Sequence, residues 1–147
     1  MKDEKEFFNL YNHGLIRVAV GVPEVRVADP AFNAARTLEL MEKAEGERAL
    51  LALFPELGLT AYSCEDLFQQ QALLDGSIEG LRSLLKASEA LNLISVVGMP
   101  LRVDHLLFNC AVVFSRGQIL GVITKTFLPN YREFYEYRQF ASAAFRR

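Results

Sequence analysis

Two charged residues directly follow apolar stretches of the sequence and could share one chemical task. Glu56 comes after residues 49–54, none of which is polar, and after Pro55. Lys125 comes after the mostly apolar stretch 118–124. Open α/β sheets bind ligands just outside the carboxyl ends of their strands, so both side chains would meet in one crevice if these strand ends lie side by side. A carboxylate there can take and return a proton, and an ammonium group can stabilise a negatively charged oxygen.

Each of these two residues also has a structural interpretation. A carboxylate at a strand end commonly accepts N–H groups of the loop backbone, and a lysine commonly forms an ion pair or stays solvated. Perturbed catalytic acids are few compared with such structural ones. From position alone, a catalytic and a structural role for Glu56 and Lys125 therefore both stay open.

The two cysteines are the obvious nucleophile candidates, and the sequence favours neither. Cys110 lies inside the predicted strand 106–114, where a cysteine is typically a buried core residue. Cys64 precedes Glu65 and Asp66, whose negative charges oppose a thiolate and are expected to raise the pKa of the thiol. Two cysteines are also too few for a disulfide framework and fit a reducing cytosol.

Other common catalytic and ligand-binding motifs are missing from the sequence. His13 and His105 are not spaced as metal ligands, and no Cys-x-x-Cys occurs. There is no glycine-rich phosphate-binding loop and no Gly-x-Ser-x-Gly. We therefore expect no zinc site, no nucleotide site of these types and no Ser-His-Asp triad here.

The elements that must position Glu56 and Lys125 follow from apolar runs and periodicity. A short helical segment is predicted at residues 7–14, closed by Gly14. Five strands are predicted, at 15–22, 49–54, 93–99, 106–114 and 118–124, with the first two expected to be buried. Two helices are predicted, from 31 to about 45 and from about 75 to 91.

The predicted order β-α-β-α-β-β-β with short connections is typical of a layered α/β domain. Ser115, Arg116 and Gly117 form a short turn, which makes the last two strands an antiparallel hairpin. Residues 125–140 combine aromatic and charged side chains without a clean period, so we interpret them as an ordered loop that carries function. Residues 141–147 are predicted to form neither a strand nor a capped helix.

Composition limits the classes of function. A chain of 147 residues is close to the ~150 of one ordinary domain, and we take residues 1–147 as one domain or part of one. The formal net charge of −2 gives no basic field for nucleic acid or anionic lipid. No apolar stretch approaches the ~18 to 20 residues of a membrane span. The charged residues 1–6 are not followed by an apolar region, so we expect no secretory signal. We expect a cytoplasmic protein that binds neither nucleic acid nor membranes.

Two stretches in the right order resemble the motifs of the nitrilase, or carbon–nitrogen hydrolase, superfamily. The first is residues 54–62, Phe-Pro-Glu-Leu-Gly-Leu-Thr-Ala-Tyr, and the second is residues 125–136, Lys-Thr-Phe-Leu-Pro-Asn-Tyr-Arg-Glu-Phe-Tyr-Glu. The similarity runs over residues 8–140, and within the superfamily the chain looks more like the N-terminal glutaminase domains of bacterial glutamine-dependent NAD⁺ synthetases. It includes Arg-Val-Ala-Val at 17–20, Val-Ala-Asp-Pro at 27–30 and Leu-Phe-Asn-Cys-Ala-Val-Val at 107–113.

The resemblance implies roles for five residues. Catalysis in this superfamily uses a Glu-Lys-Cys set, which places the general base at Glu56 and the lysine that stabilises the oxyanion at Lys125. A supporting glutamate corresponds to Glu136, and Tyr131 and Tyr62 are implied to lie close to the substrate. The substrate so implied is glutamine, hydrolysed to glutamate and ammonia. The implied fold is an incomplete nitrilase-type αββα sandwich, with a mixed sheet flanked by helices.

The departure from the family pattern concerns the nucleophile. In the family, the catalytic cysteine lies some tens of residues after the lysine-bearing loop, and no residue here matches it. Cys64 and Cys110 both precede Lys125, so neither inherits the role. We therefore expect an amino-terminal fragment that is inactive alone.

The resemblance also implies what surrounds this part of the family's proteins. The synthetase domain of the same parent chain lies further downstream in the family and needs ATP and Mg²⁺. No cofactor is expected within these 147 residues. Homo-oligomers are the expected assembly.

Two alternatives stay open at this stage. The Glu-Lys pair is shared across the superfamily, so the chain could be a fragment of another nitrilase-family amidase. A half-built sheet would also expose an edge and apolar surface, which would suit a non-enzymatic assembly module.

Overall fold

The computed structural model of the chain describes residues 7–145. Its centre is one five-stranded sheet in the order β1-β2-β3-β4-β5. The first three strands are parallel, and β3, β4 and β5 are antiparallel neighbours. The strands are β1 (Val18–Val20), β2 (Leu51–Leu53), β3 (Ile94–Val103), β4 (Leu106–Ser115) and β5 (Gln118–Thr124). The predicted α/β class and element order are confirmed.

Two helices connect the parallel strands and pack against each other. They are α1 (Pro30–Gly46) and α2 (Gln71–Ser88). Asp29 caps α1 by accepting the Phe32 N–H at 3.1 Å, and Pro30 occupies the first turn, where a missing N–H costs nothing. The start of α2 lies four residues before the predicted one and its end three residues before, because no strong cap marks either boundary in the sequence.

Four short 3-10 segments complete the described chain: Leu10–His13, Tyr62–Gln69, Glu136–Arg138 and Ala143–Phe145. The first confirms the predicted lead-in, and Gly14 closes it with a φ of 70°. The segment Tyr62–Gln69 contains a kink and was not predicted as helical. The last segment is a single 3-10 turn within residues 141–147, where neither a strand nor a capped helix was predicted. Residues 146 and 147 lie outside the described residues.

The sheet has one covered face and one open face among residues 7–145. Ala52, Val97, Met99 and Val112 lie in the main core, which α1 and α2 cover. Because both helices pack on this side, the opposite face keeps exposed apolar side chains. Leu53 is 44% exposed there, so the expectation that both faces of the second strand are covered is wrong.

The first strand also differs from its prediction. Only Val18–Val20 of the predicted strand 15–22 is extended, and β1 forms an edge of the sheet. Val18 and Val20 are 51% and 74% exposed. The expected burial is therefore wrong. The side chains of β1 are exposed because the strand lies at the edge of the sheet and because the helices cover only one face of the sheet.

Two tight turns set the antiparallel part of the sheet. Arg116 and Gly117 both have positive φ, 48° and 77°, which suits the two-residue turn between β4 and β5 and confirms the predicted hairpin. Asp104 and His105 form a second such turn after β3, with a φ of 54° at Asp104. The third strand thus runs four residues beyond its predicted end.

A second apolar cluster fixes the loop at residues 125–140. Leu128 and Phe140 from this loop are buried together with Leu57, and the Phe68 and Phe140 rings lie 5.0 Å apart. The Ala141 N–H donates to the Leu107 carbonyl at 2.8 Å. The prediction of an ordered loop is confirmed. No helix within residues 7–145 is long and apolar enough to cross a membrane.

Candidate active site

Glu56 lies in a tight turn that follows β2. The last ladder bond joins the Phe54 N–H to the Val96 carbonyl at 2.9 Å, and the Gly58 N–H then returns to the Pro55 carbonyl at 3.1 Å. This turn lies against β3, since a Cβ at Gly98 would stand 2.3 Å from the Leu57 nitrogen. Because Gly98 has no side chain, the backbone of the turn that carries Glu56 can pack directly against β3.

Lys125 connects two glutamates. Its Nζ donates to Oε1 of Glu56 at 2.6 Å and to Oε1 of Glu136 at 3.0 Å. The lysine side chain is 28% exposed, against 43% for Glu56 and 5% for Glu136. The expected meeting of Glu56 and Lys125 is thus present, and Glu136 joins them.

Glu136 enters the site from the loop that follows Lys125. Its backbone N–H donates to the Pro129 carbonyl at 3.1 Å, and its Oε1 accepts the hydroxyl of Tyr62 at 2.6 Å. No residue between 7 and 145 donates a hydrogen bond to its buried Oε2. One buried carboxylate oxygen therefore joins the phenol of Tyr62 to the ammonium of Lys125.

The charges of these groups follow from their contacts. Burial acts to lower the pKa of Lys125, but its hydrogen bonds and charge interactions with Glu56 and Glu136 outweigh burial and raise the pKa above its ordinary value. Burial, followed by the hydrogen bond to Glu136, raises the pKa of Tyr62 well above that of a free phenol. Near neutral pH the lysine is a cation and the phenol is a hydrogen-bond donor.

Asn109 of β4 also reaches Glu56, and it was not among the predicted site residues. Its amide Nδ2 donates to Oε1 of Glu56, and its main-chain carbonyl accepts the Lys125 N–H at 2.9 Å. The side chain is buried, with 4% exposed. The signal that could have found it is a polar residue within the apolar strand 106–114.

The two predicted substrate residues lie at different depths. Tyr62 touches Glu136, whereas the ring of Tyr131 is 62% exposed and lies 5.7 Å from that of Phe134. Phe134 in turn stacks edge-on against Tyr62 at 6.4 Å. The three rings form an aromatic row that leads from the surface to Glu136, and the substrate roles of Tyr62 and Tyr131 stay predictions.

Neither cysteine faces the carboxylates. Cys64 is buried, and its Sγ donates to the Thr60 carbonyl at 2.9 Å. The pKa of its thiol is raised, as expected, but the cause is burial and not the predicted charges of Glu65 and Asp66. Cys110 is buried beside Asn109 in β4 and pairs in register with Met99 of the main core. Since neighbouring side chains of a strand point to opposite faces, Cys110 points away from Glu56.

Space for a small ligand adjoins the charged groups on two sides. A cavity of about 320 Å³ is lined by Glu56, Asn109 and Lys125, by Cys110, whose side chain points to the other face, and by residues of the neighbouring strands. A second cavity of about 240 Å³ is lined by Tyr62, Glu136 and loop residues. The site thus combines a carboxylate, a cation held by two carboxylates and room for a small ligand.

Comparison with known protein families decides the assignment. Residues 17–142 match the family described as carbon-nitrogen hydrolase. This chain belongs to the carbon-nitrogen hydrolase family. The predicted family is therefore confirmed, and its predicted Glu and Lys are the two residues in contact in this carbon-nitrogen hydrolase.

The curated relatives are more specific than the family. The chain is 46% identical over 135 residues to the glutamine-dependent NAD(+) synthetase of Mycobacterium tuberculosis, a match that covers 92% of this chain and 20% of the relative. The chain thus spans about a fifth of the length of the curated relatives it matches.

Solved structures share the fold. A glutamine-dependent NAD(+) synthetase from Cytophaga hutchinsonii aligns with a TM-score of 0.81 at 27% identity, over 86% of this chain and 22% of that one. An amidase from Nesterenkonia sp. aligns with a TM-score of 0.72 at 20% identity, over 86% of this chain and 48% of that one. The expected nitrilase-type α/β fold, with a mixed sheet and flanking helices, is confirmed.

Proposed function

We propose that this carbon-nitrogen hydrolase chain supplies the base and the oxyanion-stabilising lysine of a glutaminase centre in a glutamine-dependent NAD⁺ synthetase. The observation that carries the proposal is Lys125 Nζ between Oε1 of Glu56 and Oε1 of Glu136. It occurs in a chain that is 46% identical to a relative named for glutamine-dependent NAD(+) synthesis. The reaction is hydrolysis of glutamine to glutamate and ammonia, with the ammonia used to amidate nicotinic-acid adenine dinucleotide.

The first step is the attack on the amide. Resonance makes the carboxamide carbon of glutamine a poor electrophile, so the reaction needs an activated nucleophile. Glu56 removes the proton of a cysteine thiol, and the thiolate forms a bond to the carboxamide carbon. The carbonyl electron pair moves to oxygen, and the Lys125 ammonium stabilises that oxyanion.

The second and third steps return the proton and release the product. As the tetrahedral intermediate collapses, the C–N bond breaks and protonated Glu56 gives its proton to the nitrogen, which leaves as ammonia. Glu56 then takes a proton from water, whose oxygen attacks the thioester carbon. The C–S bond breaks, the thiol regains the proton, and glutamate leaves.

Glu136 and Tyr62 keep Lys125 in place during these steps. The buried Glu136 carboxylate holds Nζ at 3.0 Å, and the Tyr62 hydroxyl holds the same Oε1 at 2.6 Å. A cation fixed before the reaction stabilises a developing negative charge without having to reorganise. Tyr131 and the aromatic row offer apolar contact to the methylene groups of the substrate.

The nucleophilic thiol comes from a residue outside these 147. This part of the proposal is supported by the burial of Cys64 and by the position of Cys110 on the helix-covered face of the sheet. We accordingly propose that the 147-residue chain alone does not turn over glutamine. ATP and Mg²⁺ would act in the synthetase part of the whole protein, which we propose to be a cytoplasmic homo-oligomer.

A chimaera tests the proposal. In it, this chain replaces its aligned segment in the Mycobacterium tuberculosis relative, and NAD⁺ formation is measured with glutamine and, separately, with ammonium as the nitrogen source. We expect the chimaera to use both sources and its Glu56→Gln variant to use ammonium alone. A Glu56→Gln chimaera that still makes NAD⁺ from glutamine at the parent rate would contradict the proposal.

A further inference from the structure

Asn109 is a buried polar residue in an otherwise apolar strand, and it contacts both members of the catalytic pair. Its side-chain amide donates to Glu56, and its main-chain carbonyl accepts the N–H of Lys125 at 2.9 Å. Asn109 is buried, with 4% of its surface exposed. A buried amide is stable only where its hydrogen bonds are made, so this contact has a purpose in the site or in the fold.

The contact makes the two oxygens of the Glu56 carboxylate different. Oε1 accepts hydrogen bonds from Lys125 Nζ at 2.6 Å and from Asn109 Nδ2. No residue between 7 and 145 donates to Oε2, and the side chain is 43% exposed. Two donors withdraw electron density from Oε1, which leaves Oε2 as the more basic oxygen and the one that a proton can reach.

We propose that Asn109 is a positioning residue that holds Oε1 of Glu56 against Lys125, so that Oε2 takes the proton from the nucleophile and returns it to the leaving ammonia. This inference rests on the proposed role of Glu56 as the base. An asparagine suits the task because its amide donates a hydrogen bond without adding a charge or exchanging a proton itself.

The groups that set the charge of Glu56 come from several elements. Lys125 follows β5, Glu136 lies in the loop after it, and Tyr62 comes from the segment Tyr62–Gln69. A replacement of Asn109 alone changes none of these three residues. A change in the carboxyl carbon signal of Glu56 then reports the loss of the Asn109 hydrogen bond.

Carboxyl carbon NMR of the chain measures that signal directly. We expect Asn109→Leu, which keeps the volume and removes the donor, to shift the carboxyl carbon resonance of Glu56 at neutral pH, because the carboxylate loses a hydrogen bond. The control is Cys110→Ala, the next residue of β4 on the opposite face, which should leave that resonance where it is. An unchanged Glu56 resonance in folded Asn109→Leu would overturn the role of Asn109.

Asn109→Asp serves if the leucine variant does not fold, since it has nearly the same shape as the parent. It replaces the donor with an acceptor, so the carboxyl carbon resonance of Glu56 should shift in this variant too. A Glu56 resonance identical to that of the parent chain would overturn the proposal.

Kinetics of the chimaera separate the failure of this inference from that of the proposed function. With Asn109→Leu we expect kcat for glutamine to fall while KM for glutamine stays the same, because the carboxylate is no longer held against Lys125. A shifted Glu56 resonance with an unchanged kcat would overturn Glu56 as the base, and with it the proposed function. An unchanged resonance overturns the role of Asn109 and leaves the proposed function standing.

Discussion

Nζ of Lys125 lies 2.6 Å from Oε1 of Glu56, although the two residues are 69 positions apart in the sequence. Glu56 follows β2, Lys125 follows β5, and β3 and β4 lie between these strands. The contact therefore forms only when four strands have assembled in register. The site therefore depends on the assembly of β2 to β5, and a change that moves the end of β2 or of β5 should move Glu56 and Lys125 apart.

The positive charge of Lys125, held beside Glu56, should be the property of this residue on which kcat depends. Lys125→Met removes the ammonium and keeps most of the chain length, so kcat of the chimaera for glutamine is expected to fall about 10²- to 10³-fold. Lys86→Met, at an exposed position of α2, is the matched control and should leave kcat unchanged. Steady-state ammonia release measures both, and equal kcat values in the two variants would exclude a catalytic role for Lys125.

Gly98 should be irreplaceable because of the turn that it faces. A Cβ at this position would stand 2.3 Å from the Leu57 nitrogen and 2.6 Å from the Pro55 carbonyl oxygen, which are backbone atoms that cannot rotate away. We expect Gly98→Ala to lower the free energy of unfolding by about 1–3 kcal/mol or more and to disturb Glu56.

The control for Gly98 is in the same sheet. Gly121 of β5 has nothing within 4 Å of an added Cβ, so Gly121→Ala should change the free energy of unfolding by no more than about 0.5 kcal/mol. Chemical denaturation gives both values. Similar values for the two variants would show that the Pro55–Gly58 turn does not press on β3.

The raised pKa values of Tyr62 and Lys125 predict a loss of stability at alkaline pH. Both groups hold their protons more tightly in the folded chain than in the unfolded one, so this contribution is complete below their ordinary pKa values, about 10. It is lost as pH rises through the folded pKa values, because the folded state then binds more protons than the unfolded state.

Glu136→Gln tests whether Tyr62 and Lys125 cause the fall of the free energy of unfolding at alkaline pH. The change removes a negative charge that helps both Tyr62 and Lys125 to keep their protons. The free energy of unfolding of the variant should therefore fall less steeply between about pH 9 and 12, the range around the ordinary pKa values of the two groups. Glu133→Gln, an exposed neighbour in the same loop, should keep the parent slope. Denaturant unfolding at several pH values would refute the account if all three slopes were equal.

The two cysteines should behave as core residues. Cys64 and Cys110 are 2% and 3% exposed, so a thiol reagent should modify both slowly in the folded chain and rapidly in denaturant. Cys64→Ala in the chimaera should keep the parent kcat for glutamine. Loss of glutamine hydrolysis in a folded Cys64→Ala chimaera would instead make Cys64 the nucleophile.

The element order and the proposed catalytic pair could be predicted from the sequence for different reasons. Alternating apolar runs and helical periods report which segments must be buried, and this sufficed for five strands and two helices. The pair Glu56 and Lys125 was found because each follows a strand, and the family resemblance then chose the catalytic interpretation over the structural one.

Other features depended on relations that a linear pattern does not contain. The burial of Val18 and Leu53 was predicted wrongly, because hydrophobicity does not say on which face of the sheet the helices pack. Asn109 was missed, because a single polar residue in a strand has no partner visible in the sequence. The hydrogen bond between Tyr62 and Glu136 spans 74 positions and depends on how the 125–140 loop folds back.

Ammonia release from glutamine tests the central claim most directly, measured for the 147-residue chain, for the chimaera and for the Glu56→Gln chimaera. The account predicts release by the chimaera only, because Glu56 and Lys125 need a thiol that these 147 residues do not place in the site. Release by the chain alone at an enzyme-like rate, or undiminished release by the Glu56→Gln chimaera, would contradict it.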